Sequence, residues 1–175
     1  EGGKWWNPMT VNPETGWVFV PSREICVDIK SAPLGEGLNP DEVTVGAPYW
    51  GIGTIGWNTG HGQLVAFDGK TGEKKWVVKD RSPFTSGLLS TRGGLLFAGT
   101  PEGEFRAYNQ ETGEELWSFQ TGSGIFGSPS TYTIDGEQFI AVPSGFGGWT
   151  GWAHFGEGGA PWLKDSRKGG GIIGF

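Results

Sequence analysis

Sulfur is scarce in this sequence: 175 residues include one cysteine, Cys26, and one methionine, Met9. A lone cysteine excludes an internal disulfide and any multi-thiolate metal centre. Histidine is nearly as rare. His61 and His154 are the only two, and neither stands at metal-ligand spacing from a second His, Cys or carboxylate pair. No zinc site is implied, and both are read as loop residues. Cations are outnumbered, 13 Lys and Arg against 19 Asp and Glu, for a formal charge of −6. That balance lacks the clustered positive charge of a nucleic-acid surface. No run of about 18 apolar residues occurs, so no helix is expected to span a membrane. The Gly122-Ser123-Gly124 and Ser144-Gly145 pieces lack a strand-to-helix elbow, which removes a serine-hydrolase reading.

What is abundant points one way. Glycine supplies 34 residues, tryptophan 10 and phenylalanine 11. Glycine weakens helices and permits tight turns, while aromatic rings fit pleated surfaces, so short strands joined by turns are predicted. Two segments repeat. Ala66-Phe67-Asp68-Gly69-Lys70-Thr71-Gly72-Glu73-Lys74-Lys75-Trp76 aligns with Ala107-Tyr108-Asn109-Gln110-Glu111-Thr112-Gly113-Glu114-Glu115-Leu116-Trp117, an offset of 41 residues (66 to 107). Each copy reads as a hairpin: Asp68 or Asn109 bonds backbone amides two residues on, and Gly72 or Gly113 takes a positive φ. A period of about 40–50 residues with several strands per unit marks the blades of a β-propeller.

Extending outward from these hairpins gives an all-β chain of about two and a half four-stranded antiparallel blades. The first uses Met9 to Val11, Trp17 to Pro21, Gln63 to Phe67 and Lys74 to Val78, broken by a long insertion at Ser31 to Gly62. The second is compact: Leu88 to Ser90, Leu95 to Ala98, Glu104 to Tyr108 and Glu115 to Phe119. A third starts with Ser130 to Ile134 and Gln138 to Val142, passes through a Gly- and Trp-rich loop at Gly145 to Gly171 and ends on Ile172 to Phe175. The whole of 1–175 is read as one partial propeller domain. Propellers close with about four to eight blades, so the remaining blades are expected from the same or another polypeptide.

The repeated Ala-x-Asp-x-x-Thr-Gly-x-x-x-Trp hairpin resembles the tryptophan-docking motif of the eight-bladed quinoprotein alcohol dehydrogenases. In that family a Trp of one blade stacks on the Gly turn of the next, which gives Trp76 and Trp117 a buried structural role. Further segments resemble the methanol- and ethanol-type members: Asn7-Pro8-Met9-Thr10-Val11-Asn12-Pro13-Glu14-Thr15-Gly16-Trp17-Val18-Phe19-Val20-Pro21, Glu24-Ile25-Cys26-Val27-Asp28, Val45-Gly46-Ala47, Leu89-Ser90-Thr91-Arg92-Gly93-Gly94-Leu95-Leu96-Phe97-Ala98-Gly99-Thr100, Thr121-Gly122-Ser123-Gly124-Ile125 and Ser144-Gly145-Phe146-Gly147-Gly148-Trp149. Nearly the whole chain is covered.

This resemblance implies the C-terminal portion of an enzyme that oxidises a primary alcohol to an aldehyde with pyrroloquinoline quinone and Ca²⁺ or a lanthanide. It also implies a periplasmic location and a cytochrome-type electron acceptor. The family's base and metal ligands fall outside the matched part, so no catalytic or metal-binding residue is assigned in this chain. Three positions map to the rim of the quinone site: Trp149, matching a Trp beside the quinone; Thr85, where methanol-type members carry a Trp; and Trp5, where many carry an Asn. A non-catalytic propeller that scaffolds protein assembly stands as the alternative. Substrate selection is expected in loops, with the Ser31 to Gly62 insertion a contributor.

Overall fold

In the computed structural model, residues 3–30, 52–147, 163 and 166–175 are described, with side chains omitted for 25–30 and 52–60. Three antiparallel sheets follow one another along the chain. The first blade is β1 (Thr10–Val11), β2 (Trp17–Lys30), β3 (Ile52–Asp68) and β4 (Lys74–Asp80), paired in that order. The second is β5 (Leu89–Ser90), β6 (Leu95–Gly99), β7 (Glu104–Asn109) and β8 (Glu115–Gln120). The third holds β9 (Ser130–Ile134), β10 (Glu137–Gly145) and β11 (Gly170–Gly174), in the order β11-β10-β9. Ile172 and Ile173 thus fall in the third described strand of that blade, and Phe175 just beyond it exchanges two backbone hydrogen bonds with Ile140.

The pairing in the first blade reaches further than the hairpin pattern predicts. Lys30 pairs with Ile52 and Cys26 with Gly56, so residues 52–56 and 61–62 of the expected insertion pair with β2, with an irregularity between Glu24 and Cys26. The sequence signal was there: Ile25, Val27 and Ile29 place β-branched residues at alternate positions. His61, read as a loop residue, stands in β3 opposite Glu24, and its Nε2 lies 3.0 Å from Gln63 Nε2.

The turn chemistry is repeated to the atom. Asp68 Oδ1 accepts the amides of Lys70 and Thr71, Asn109 Oδ1 those of Glu111 and Thr112, and Asn12 Oδ1 those of Glu14 and Thr15. The Asp68 carboxyl is held below its ordinary pKa by those two amides. In each turn the Thr hydroxyl accepts the amide two residues on, satisfying groups that the strands leave unpaired. Both repeats then carry a β-bulge: Lys75 and Leu116 are the extra residues between paired positions.

Two cores lie in the seams between blades. Phe19, Leu64, Ala66, Phe84, Leu88, Leu96, Ala98 and Tyr108 fill the first, with Trp17, Trp76 and Val78 against it. The second gathers Phe97, Phe105, Ala107, Ile125 and Val142. Trp76 closes the first seam. Its indole Nε1 donates to the Gln110 carbonyl at 2.9 Å and its ring lies over Gly113, whose φ is +75°. A Cβ on Gly113 would come within 2.9 Å of the indole carbons, so both backbone conformation and space require glycine there.

Trp117 does not repeat this arrangement. It is 39% exposed, with its ring against Phe105, Phe119 and Phe175, because no third-blade turn lies over it among the described residues. Together with Leu116, Phe97, Ile140 and Phe175 it lines an apolar groove of about 380 Å³.

A polar cluster crosses the first seam. Arg106 on β7 donates to Asp80 on β4, to Glu104 and, at 3.4 Å, to the Tyr108 hydroxyl. Tyr108 is fully buried. Burial pushes its phenol up to about 12, against the opposing pull of Arg106. A phenol with a folded-state pKa above its unfolded value stabilises the fold below pH 10, and that contribution is lost as pH rises from 10 through about 12. The denaturation midpoint should therefore fall across that window. In Tyr108→Phe the fall should be shallower; an equal slope in both proteins would remove Tyr108 from the account.

Candidate functional site

Antiparallel pairing fixes which loops share an end of the blades. The segment leading into the first blade (3–9) and the connections from one blade to the next (81–88 and 121–129) lie at one end, with the β6–β7 link. We call this the crossover end. The β1–β2, β3–β4, β5–β6, β7–β8 and β9–β10 turns lie at the opposite, turn end.

Buried polar side chains concentrate at the crossover end. Among the described residues Asn7, Arg23, Ser82, Thr85, Ser86, Thr100, Ser123 and Ser144 lie there, and Gln110 is the exception. Burying a hydroxyl or amide costs free energy unless it is hydrogen-bonded, so each such group has to be met by a partner. Thr85 Oγ1 donates to the Ile125 carbonyl at 2.7 Å, Ser86 Oγ accepts the Gly99 amide at 2.7 Å, and Ser144 Oγ donates to Thr121 Oγ1 at 2.9 Å. Ser123 Oγ donates to the Arg167 carbonyl, a packing role and not that of a nucleophile. Backbone bonds complete the weave: the Ile125 amide to the Thr100 carbonyl, and the Gly145 amide to the Gly124 carbonyl. Ile125 is fully buried over Gly99, where a Cβ would come within 2.5 Å of its side chain.

Two of the three rim positions are described. Trp5 precedes β1, half-buried, with the Trp6 ring stacked at 3.8 Å between centroids and the Arg23 guanidinium 4.0 Å from its own centroid. Two groups this close to one ring centre cannot share a face without overlapping. Trp5 therefore has both faces covered and presents only its edge, while Trp6 is 56% exposed. Thr85 lies in the next crossover segment, 1% exposed. Asn7, two residues beyond Trp5, donates its amide to the Thr85 carbonyl, so the structure brings these two segments together. Trp149 and His154 lie outside the described residues.

Sequence reasoning missed Asn7 and Arg23 as members of this end. Asn7 was visible as part of the Asn-Pro motif. Arg23 carried no local signal, since an alternating strand position gives no hint of burial against an indole. At the turn end it missed Gln110, whose amide donates to the Thr91 and Leu95 carbonyls and accepts from Asn12. In the repeat Gln110 aligns with Gly69, and that mismatch was the available sign. Among the described residues no three His, Cys, Asp or Glu side chains gather as a metal site, and no helix is long and apolar enough to cross a membrane.

Residues 77–140 match the PQQ family described as glucose/ethanol/alcohol dehydrogenase, beta-propeller domain. The chain is 44% identical over 150 residues to quinoprotein alcohol dehydrogenase PedH of Pseudomonas putida, covering 84% of this chain and 24% of that protein. It is 36% identical over 173 residues to a lanthanide-dependent methanol dehydrogenase of Methylorubrum extorquens, covering 99% of this chain and 28% of the relative. Among solved structures, a europium-containing methanol dehydrogenase superposes with a TM-score of 0.79 at 30% identity, over 98% of this chain and 33% of that one. The quinohemoprotein alcohol dehydrogenase of Comamonas testosteroni gives 0.75 at 28% identity, over 98% of this chain and 26% of that one. The chain thus spans between 24% and 33% of the length of these proteins.

Proposed function

We propose that this chain, a stretch of the quinoprotein alcohol dehydrogenase β-propeller, supplies blades and one rim of a pyrroloquinoline quinone site in an enzyme that oxidises a primary alcohol to an aldehyde. The observation that carries the reading is the concentration of buried, hydrogen-bonded polar groups at the crossover end, where Asn7, two residues from Trp5, bonds the Thr85 carbonyl. Trp149 follows the crossover-end terminus of β10 by four residues in sequence (145 to 149) and completes the proposed rim. When bound, the quinone supplies the two-electron acceptor. This chain's part is positional: Trp5 offers an indole edge at the crossover end, and Trp149 is assigned as a second indole beside the quinone. The fit is that of a wall. The base and the Ca²⁺ or lanthanide ligands are assigned to the rest of the enzyme.

Trp76 on Gly113 supports a blade-locking role for the repeated tryptophan. By the same logic the groove beside Trp117 receives the matching turn of a completed third blade, from the same or another polypeptide. A periplasmic location and a cytochrome-type acceptor are part of the same proposal, and a non-catalytic scaffold has no observation that favours it.

The test is dye-linked ethanol oxidation after loading with quinone and Ca²⁺ or a lanthanide. The 175-residue chain alone should give no turnover above the protein-free control, and the polypeptide that carries the remaining blades should turn over. Turnover by the isolated chain, or none by the larger polypeptide, would refute this reading.

A further inference from the structure

The crossover segment of the second blade is buried from Ser82 to Leu88 although it is neither helix nor strand. A buried loop carries backbone polar groups that water cannot reach, so its partners show what it is for. Here they come from both sides. From the first blade, Asn7 donates to the Thr85 carbonyl, and the Pro8 carbonyl accepts the Leu88 amide at 3.0 Å. Toward the third blade, Thr85 Oγ1 donates to the Ile125 carbonyl. Gly87 is wedged between the two, since a Cβ there would fall 2.2 Å from Ser128 Oγ and 3.1 Å from Pro8 Cδ.

We propose that Thr85 is a brace: a positioning residue that ties the three crossover segments into one rigid belt and touches no ligand itself. With 1% of its surface exposed and its hydroxyl committed to Ile125, it has nothing to offer a bound molecule directly. It acts through its neighbours. Asn7 sits two residues from Trp5, and Ile125 pairs by a β-bridge with Gly145, the residue from which the chain runs on toward Trp149. Through its hydroxyl on one side and its carbonyl on the other, Thr85 therefore sets the spacing between the segment that follows Trp5 and the one that bridges to Gly145. The belt itself stands without the quinone reading; only its purpose rests on that reading.

Amide hydrogen exchange on this chain tests the belt. Thr85→Val keeps the shape and removes the donor, and Thr85→Ser keeps the donor. Exchange at Leu88, Ile125 and Gly145 should rise together in Thr85→Val, by roughly tenfold, as loss of one buried hydrogen bond allows. It should stay within about twofold of wild type in Thr85→Ser, and the Gly113 amide at the turn end should be unchanged in both. A rise confined to 81–88, an equal rise through all three blades, or no rise would each overturn the brace. A second arm uses the quinone-loaded enzyme. Thr85→Val should weaken quinone binding, read from the bound quinone's absorbance, and Thr85→Ser should restore it. Unchanged binding despite lost protection would overturn the belt's role at the site. A wild-type enzyme that binds no quinone would overturn the functional reading and leave the brace to be judged on exchange alone.

Discussion

Replacing Trp76 with alanine is expected to cost about 3–5 kcal/mol of unfolding free energy, and replacing Trp117 about 1 kcal/mol. The two tryptophans occupy the same position in the repeat, so the difference comes from what lies over them. Trp76 is packed against Phe19, roofs the first core, covers Gly113 and satisfies the Gln110 carbonyl through Nε1. Its removal opens a cavity in the seam and leaves a carbonyl without its donor, two penalties that add. Trp117 is 39% exposed and borders a groove, so truncation there mostly removes surface already in contact with water. Urea denaturation of both variants measures it. Equal losses would mean that the groove is filled in solution, and the account of Trp117 would fail.

That contrast shows how far the sequence could be read. The Asx-x-x-Thr-Gly turns were legible because their chemistry is local: Asp68 and Asn109 bond amides within three residues, and no distant partner is needed. The same chemistry at Asn12 to Gly16 escaped notice as a copy of the turn because a proline stands second in it and it joins a different pair of strands. Blade boundaries followed from the turns to within a residue or two in the second blade. Burial was harder. Identical motif positions give Trp76 a roof and leave Trp117 bare, since the roof belongs to the next blade and not to the motif. The crossover end was the least readable part. Thr85 and Asn7 are polar loop residues in sequence, and a loop is ordinarily solvated; only their partners 40 and 78 residues away bury them.

Bulge residues carry the same lesson into electrostatics. Lys75 and Leu116 are equivalent by pairing, yet Lys75 pairs with Glu73 and Asp68 and lies 5.8 Å from the Trp17 ring, while Leu116 is 51% exposed in the groove. A repeat therefore fixes backbone shape more tightly than it fixes the character of the surface it presents. The first seam is sealed by charge and indole together, and the second presents apolar surface.

The charge in the first seam should be nearly as costly to remove as the indole. Arg106 and Asp80 keep 15% and 13% of their side chains exposed, and they join strands of different blades. Burial opposes the charge on Arg106, but hydrogen bonds to Tyr108, Glu104 and Asp80 outweigh it and raise its pKa, so the guanidinium stays charged at any pH the fold survives. Arg106→Met leaves Asp80 in the seam without its cation, with Glu104 and Glu115 of the second blade beside the position that Arg106 occupied. Breaking one side of such a pair typically costs about 3–5 kcal/mol, whereas replacing both partners with apolar residues can be neutral. Arg106→Met should therefore unfold at markedly lower denaturant than wild type. Adding Asp80→Leu should recover a large part of the loss, because the stranded carboxylate is gone. The double-mutant cycle decides between two accounts of the seam. Recovery on the second substitution makes the pair a device for registering one blade on the next. Strictly additive losses would mean that each side chain acts through its own packing, and the ion pair would then have no part in holding the first seam.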